Sequence, residues 1–329
     1  MNRLSLLLRL AAGILLIAVL QAAGATPTVE PTNDVHFSEA GYENPEFTRT
    51  WYLRCQYLVD KYQPDLLYFD NTGLPLGQTG LDIAAHFYNA NMSWHGGKLE
   101  AVLNAKILPP EQRPAMVEDY ERGKTEGIMP RPWQTDTCIG VWHYDRSLYE
   151  QHNYKSAAAV IYMLVDIVSK NGNLLLSVPV RGDGTIDENE VMVLKGIAAW
   201  MAVNSAAIFA TRPWKVYGEG PSTMEQPETG EFSGVSDVRS KPYNGEDIRF
   251  TQSKDGQTLY AIALAAPTNG TLTIKSLAHG SALWPGNVSH VRLLGIDADI
   301  PTTRDAAGLH VTLPRRELGA IALALSIQK

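Results

Sequence analysis

The chain is 329 residues long, 45% hydrophobic, 19% charged and 9% aromatic, with 27 Gly and 19 Pro. That composition excludes disordered, collagen-like and coiled-coil proteins. Lys and Arg number 28 against 35 Asp and Glu, a formal net charge of −7, and no basic run stands out, which argues against a nucleic-acid binder or a protein held on an anionic membrane.

Residues 1–25 read as an export signal: Arg3 and Arg9 give a basic start, Leu10 to Leu20 is apolar, and Ala23-Gly24-Ala25 supplies the small residues of a cleavage site. The apolar run is shorter than the roughly 20 residues that span a bilayer; an uncleaved N-terminal anchor is the alternative. Cleavage would remove two Arg and no acid, so the mature 304 residues would carry −7 − 2 = −9. The reading implies an exported protein (periplasmic, extracellular or lysosomal) with no membrane attachment once the signal is removed. Residues 26–45 are polar and read as a linker.

Pro45–Tyr62 has helical periodicity, ended by Pro64, and Asp65–Asp70 is an apolar run of the kind found in strands buried on both faces. Similar runs recur at Leu99–Asn104, Ala115–Tyr120, Gln134–Ile139 and Asn173–Val178, with helices expected at Leu81–Met92, Tyr154–Lys170 and Asp187–Asn204. Asp187-Glu-Asn-Glu190 places acids in a first helical turn, as the helix dipole prefers. Alternating strands and helices with non-alternating apolar strands mean an α/β domain with a parallel sheet. Gly218–Asn244 reads as a linker, and the short β-rich runs from about Gly245 to Lys329 as a small antiparallel β-sandwich. The domain plan is therefore an α/β domain over 26–222 and a sandwich over 245–329.

Cys55 and Cys138 are the only cysteines, too few for a disulfide scaffold, and read as buried free thiols. No CxxC, HExxH or His/Cys cluster suggests zinc. Asn91-Met-Ser93, Asn269-Gly-Thr271 and Asn287-Val-Ser289 match the N-glycosylation sequon.

Function in α/β sheets and barrels sits at the carboxyl ends of the strands. Asp70 closes the first apolar run, as a nucleophile or base at the mouth of the sheet or else as an N-cap. Val117–Gly123 ends in Glu118, Asp119 and Glu121 beside Arg122, a catalytic cluster or a solvated turn held by a Glu–Arg pair. Pro132–Tyr144 concentrates Trp133, Trp142, His143 and Tyr144 with Asp136. Aromatic rings beside carboxylates suit a sugar, though rings filling a barrel core explain them equally well. Two carboxylates about 5–5.5 Å apart would mean hydrolysis with retention.

Leu58–Asn71, Val117–Gly123, Trp133–Tyr144, Val165–Val178 and Arg212–Gly220 together resemble the family 29 α-L-fucosidases, in the family's order from about Tyr42 to the C-terminus. The resemblance implies an incomplete (β/α)8 TIM-like barrel followed by a small antiparallel β-sandwich, and a retaining exo-α-L-fucosidase without metal or cofactor. It implies Asp70 as nucleophile, Glu121 as acid/base with Glu118 as the alternative, and Tyr68, Trp142, His143 and Lys106 as substrate contacts. Gln134 stands where many relatives have a Glu. The implied partner is a fucosylated oligosaccharide or glycoconjugate, with homo-oligomerisation open.

The departure from the family lies at the N-terminal side. No His-His-Asp-Gly segment precedes Asp70, all eight histidines are isolated, and five apolar strands are three short of a closed barrel. The expectation is a truncated gene joining a signal peptide to the C-terminal two-thirds of a fucosidase, with impaired activity. A non-catalytic carbohydrate-binding remnant, with Trp284, His290 and His310 on the sandwich, is the competing reading.

Overall fold

The structure, a computed structural model, describes residues 44–223, 243–314 and 321–329. The export signal and most of the linkers read at 26–45 and 218–244 lie outside the described residues. The chain divides into two compact units between Tyr120 and Glu121.

The first unit opens with helix α1 (Pro45–Tyr62). Asn44 caps it by accepting from the backbone N–H groups of Glu46 and Phe47, both at 3.1 Å, and Pro45 occupies the first turn, where its missing N–H costs nothing. Strand β1 (Leu66–Thr72), helix α2 (Gln78–Trp94), β2 (Val102–Lys106) and β3 (Val117–Asp119) follow. β1 and β3 flank β2, all parallel. Leu67, Phe69, Leu103 and Ala105 alternate onto one face and pack with Val59, Ala84 and Phe87 of the two helices. Each large side chain buried in this way contributes about 1.5–3 kcal/mol. Tyr68, Asn104, Lys106 and Asp119 belong to the opposite face of the strands.

In the second unit β4 (Trp133–Cys138), buried at every position, runs parallel to β5 (Gly172–Ser177). Helices α3 (Arg146–Glu150), α4 (Ala157–Ser169) and α5 (Glu188–Asn204) accompany them. Cys138 is buried and Cys55 half-buried in its own unit, both as free thiols. The chain then enters two antiparallel sheets. One has the order β10-β13-β8-β7-β6, with β6 (Thr211–Glu219), β7 (Ile248–Ser253), β8 (Thr258–Ala263), β10 (His290–Leu293) and β13 (Leu323–Gln328); the other has β11 (Thr302–Arg304), β12 (Leu309–Thr312) and β9 (Thr271–Ile274). Trp214, Phe250, Trp284 and Leu309 are among the residues of their common core.

Strand β6 corrects the reading of residues from Gly218 as loop: Gly218 and Glu219 pair with Arg249 and Ile248 after a register shift beyond Pro213. A β-carbon at Gly218 would lie 2.5 Å from the Ile248 carbonyl oxygen, so a glycine that reads as a loop residue is a requirement of the pairing.

A buried ionic group joins α4 to β7. The Asp166 carboxylate accepts from Lys170 Nζ and Arg249 Nε, each at 2.7 Å. Burial alone would push this carboxyl up, but the two cations and their hydrogen bonds bring it down to about 2. Lys170 Nζ also donates to the Thr125 carbonyl at 3.0 Å.

Candidate active site

The first unit brings three of the expected residues together. Between Phe69 (opposite Ala105) and Thr72 (opposite Lys106) β1 contains two extra residues, Asp70 and Asn71. Such a bulge re-aims a side chain at a strand end. The Asp70 carboxylate is 71% exposed and accepts from Lys106 Nζ at 2.8 Å, while the Tyr68 hydroxyl lies at 3.4 Å from the same oxygen. Lys106, at the carboxyl end of β2, is 9% exposed, so a nearly buried ammonium presents one charge to an open carboxylate. Lys106, expected as a substrate contact, thus stands beside the expected nucleophile.

The strand ends are tied below this pair. Gly73, at φ +60, donates its N–H to the Lys106 carbonyl at 2.7 Å. Ile107, directly after Lys106, is held at φ +48, a left-handed conformation that is strained for a β-branched residue and of the kind that accumulates at functional sites.

The acidic run divides by strand alternation. Glu118 aligns with Ala105, on the apolar face, and Asp119 with Lys106, on the polar one. Glu118 accepts from Arg113 Nη2 at 3.2 Å, from the Leu108 N–H at 3.2 Å and from the Tyr120 hydroxyl at 3.0 Å. Three donors around one carboxylate describe an anchor for the 108–113 loop. Asp119 is fully buried, a residue whose place on the Lys106 face the pattern of Val117-Glu-Asp119 would have revealed.

Glu121 begins the second unit. The following residue, Arg122, is at φ +47 and donates its N–H to the Asp136 carbonyl at 2.8 Å; Gly123 N–H donates to Thr135 Oγ1 at 3.1 Å. Two consecutive backbone N–H groups, one bonded to a carbonyl and one to a side-chain hydroxyl, thus fix the turn behind Glu121 against β4. The Arg122 guanidinium lies 6.0 Å from the centre of the half-buried Trp142 ring, at the outer limit of a cation–π contact. His143 beside it is exposed. Gln134 is buried within β4. Among the described residues no group of three or more His, Cys, Asp and Glu side chains comes together as a metal site, and no helix is long and apolar enough to cross a membrane.

Two family models match the chain: alpha-L-fucosidase over residues 21–206 and alpha-L-fucosidase C-terminal domain over 241–328. Among curated proteins, an α-L-fucosidase of Dictyostelium discoideum is 38% identical over 188 residues, 57% of this chain and 35% of that protein. The human tissue α-L-fucosidase is 26% identical over 204 residues, 61% of this chain and 37% of its own length. The chain thus spans little more than a third of these relatives. A Thermotoga maritima α-fucosidase structure, in complex with a mechanism-based inhibitor, superposes with a TM-score of 0.64 at 23% identity, covering 87% of this chain and 57% of the other. A further α-L-fucosidase structure gives 0.66 at 24% identity. Such likeness speaks for the fold: an incomplete (β/α)8 TIM-like barrel, here with five parallel strands, followed by a β-sandwich.

Proposed function

The chain belongs to the α-L-fucosidase family, and from that premise we propose that it acts as a retaining exo-α-L-fucosidase on terminal α-L-fucosyl residues of glycans. The observation that carries the proposal is the Lys106–Asp70 pair at 2.8 Å on a bulged strand end. A carboxylate aimed out of a parallel strand's carboxyl end, with a cation fixing one oxygen, is what a nucleophile at an anomeric carbon requires.

In the first step an Asp70 oxygen bonds to C1 of fucose, the glycosidic C1–O bond breaks, and the Glu121 carboxylic acid gives its proton to the departing oxygen. In the second, water attacks C1, the Glu121 carboxylate takes its proton, and the bond to Asp70 breaks. Glu118 fits the acid role less well, since its carboxylate is already engaged by Arg113, the Leu108 N–H and the Tyr120 hydroxyl. Lys106 favours departure of Asp70 as a carboxylate, and Tyr68, Trp142 and His143 supply ring and polar contacts to the sugar.

The test is hydrolysis of an aryl α-L-fucoside by the purified protein and by Asp70→Asn, with a fluorinated fucosyl inactivator used to label the nucleophile. The expected results are turnover lost in the variant and a label on the peptide containing Asp70; a label elsewhere removes Asp70 from the role. Export through residues 1–25 belongs to the same proposal, and N-terminal sequencing of the secreted protein should begin near Thr26. Of the three sandwich residues behind the reading as a carbohydrate-binding remnant, Trp284 is 2% exposed and lies in the sandwich core, which supports a packing role for it, while His290 is exposed.

A further inference from the structure

Along β2 the side chains alternate. Leu103 and Ala105 enter the helix-covered core, so Asn104 and Lys106 belong to the opposite face, the one on which Lys106 reaches Asp70. Asn104 is 2% exposed and lies in register between Tyr68 of β1 and Val117 of β3. Its Oδ1 is buried without a hydrogen-bond partner among the described residues. Lys106, two residues on, directs its ammonium to Asp70, and the Tyr68 hydroxyl points the same way.

Buried amide oxygens are nearly always satisfied, and one left without a donor destabilises a protein. An acceptor kept in that state on the strand face whose Lys106 reaches Asp70 makes sense when its donor arrives with the substrate. Successive side chains on one face of a strand are spaced about 7 Å apart, close to the span of a pyranose ring with its hydroxyls. We propose that Asn104 is a specificity-determining substrate contact, its Oδ1 accepting a hydrogen bond from a hydroxyl of the sugar whose C1 meets Asp70. The inference rests on the fucosidase reading and deepens it, since it assigns a hydroxyl-reading group to a residue with no part in bond cleavage.

The experiment pairs stability with binding, using wild type and Asn104→Leu, L-fucose, and its 2-, 3- and 4-deoxy analogues as probes in calorimetry. A packing asparagine replaced by leucine should lower the melting temperature. A ligand acceptor so replaced should leave it equal or higher, because an unsatisfied polar group is removed. The expected result is unchanged or raised melting with L-fucose binding weakened about tenfold. One deoxy analogue should also bind wild type about as weakly as L-fucose binds the variant, and lose nothing further on substitution. Melting several degrees below wild type, or undiminished L-fucose binding, overturns the assignment of Asn104. Absence of L-fucose binding by wild type itself overturns the fucosidase reading beneath it, and the two failures are told apart by which protein fails.

Discussion

Glu190 offers the sharpest test of how this fold responds to pH. Helix α5 is capped by Asp187, whose Oδ1 accepts the Glu190 N–H at 2.8 Å and whose Oδ2 accepts the Tyr154 hydroxyl at 2.6 Å. Glu190 itself is fully buried, and neither carboxyl oxygen has a hydrogen-bond partner among the described residues. Burial first, then the neighbouring Asp187 charge, push its carboxyl from 4.5 up to about 7, against weaker opposition from the backbone bond and the Arg181 charge. The folded state therefore keeps a proton that the unfolded chain gives up near pH 4.5. Stability from this group is complete below about pH 4.5 and declines as pH rises to about 7. A shift of that size at about 1.4 kcal/mol per pH unit bounds the loss at about 3 kcal/mol. Glu190→Gln keeps the shape without the charge. Urea melts between pH 5 and pH 8 should show the variant close to wild type at the acid end and more stable, by up to about 3 kcal/mol, at the alkaline end. Two curves separated by a constant offset over that range would refute the argument.

Removing the cation from the nucleophile, in Lys106→Met, should lower kcat/KM on an aryl α-L-fucoside by about 100-fold through lost positioning, while Lys106→Arg retains most of the rate. Asp166→Ala leaves Lys170 and Arg249 buried without a counter-charge, which should cost about 3–5 kcal/mol in a denaturant melt; a triple change that also makes Lys170 and Arg249 methionine should recover much of it. Among the sequons, Asn91 is fully buried with its Oδ1 accepting the Glu100 N–H at 2.8 Å, whereas Asn269 and Asn287 are exposed. Peptide mapping after expression in a glycosylating secretory host should find glycans at the latter two positions and none at Asn91.

The parallel strands were readable as short apolar runs with hard stops, as in Pro64-Asp-Leu-Leu-Tyr-Phe-Asp70, but the expectation that this run is buried on both faces fails, since Leu66 is 40% exposed and Leu67, Tyr68 and Phe69 are only half-buried. Strand β6 was not, because Pro213 and Gly218 carry loop signals and only the approach of the Ile248 carbonyl shows why glycine stands there. The acids of Asp187–Glu190 read as a first helical turn favoured by the dipole, which says nothing of burial, yet Glu190 shares the inward face of α5 with Ile197 and Met201, a signal contained in the helical spacing. Asp70 was legible as the polar end of an apolar run. Its contact with Lys106 was not, since it depends on a bulge that puts two extra residues into one strand. Asn104 carries no such signal, because a lone asparagine at the end of an apolar run looks like the run's polar boundary, and only the fold shows it buried.

The sandwich is not a module that proteolysis can release intact. Ile262 and Ala324 from its strands, with Leu264 and Ala322 directly beside them, share one apolar cluster with Val160, Ile161, Ile197 and Trp200 of α4 and α5, and the Trp200 indole N–H donates to the Ala322 carbonyl at 2.7 Å. Nicking the chain between residues 223 and 243 should yield two pieces that stay associated and melt in one transition, whereas either piece prepared separately would present a greasy flank to solvent and precipitate.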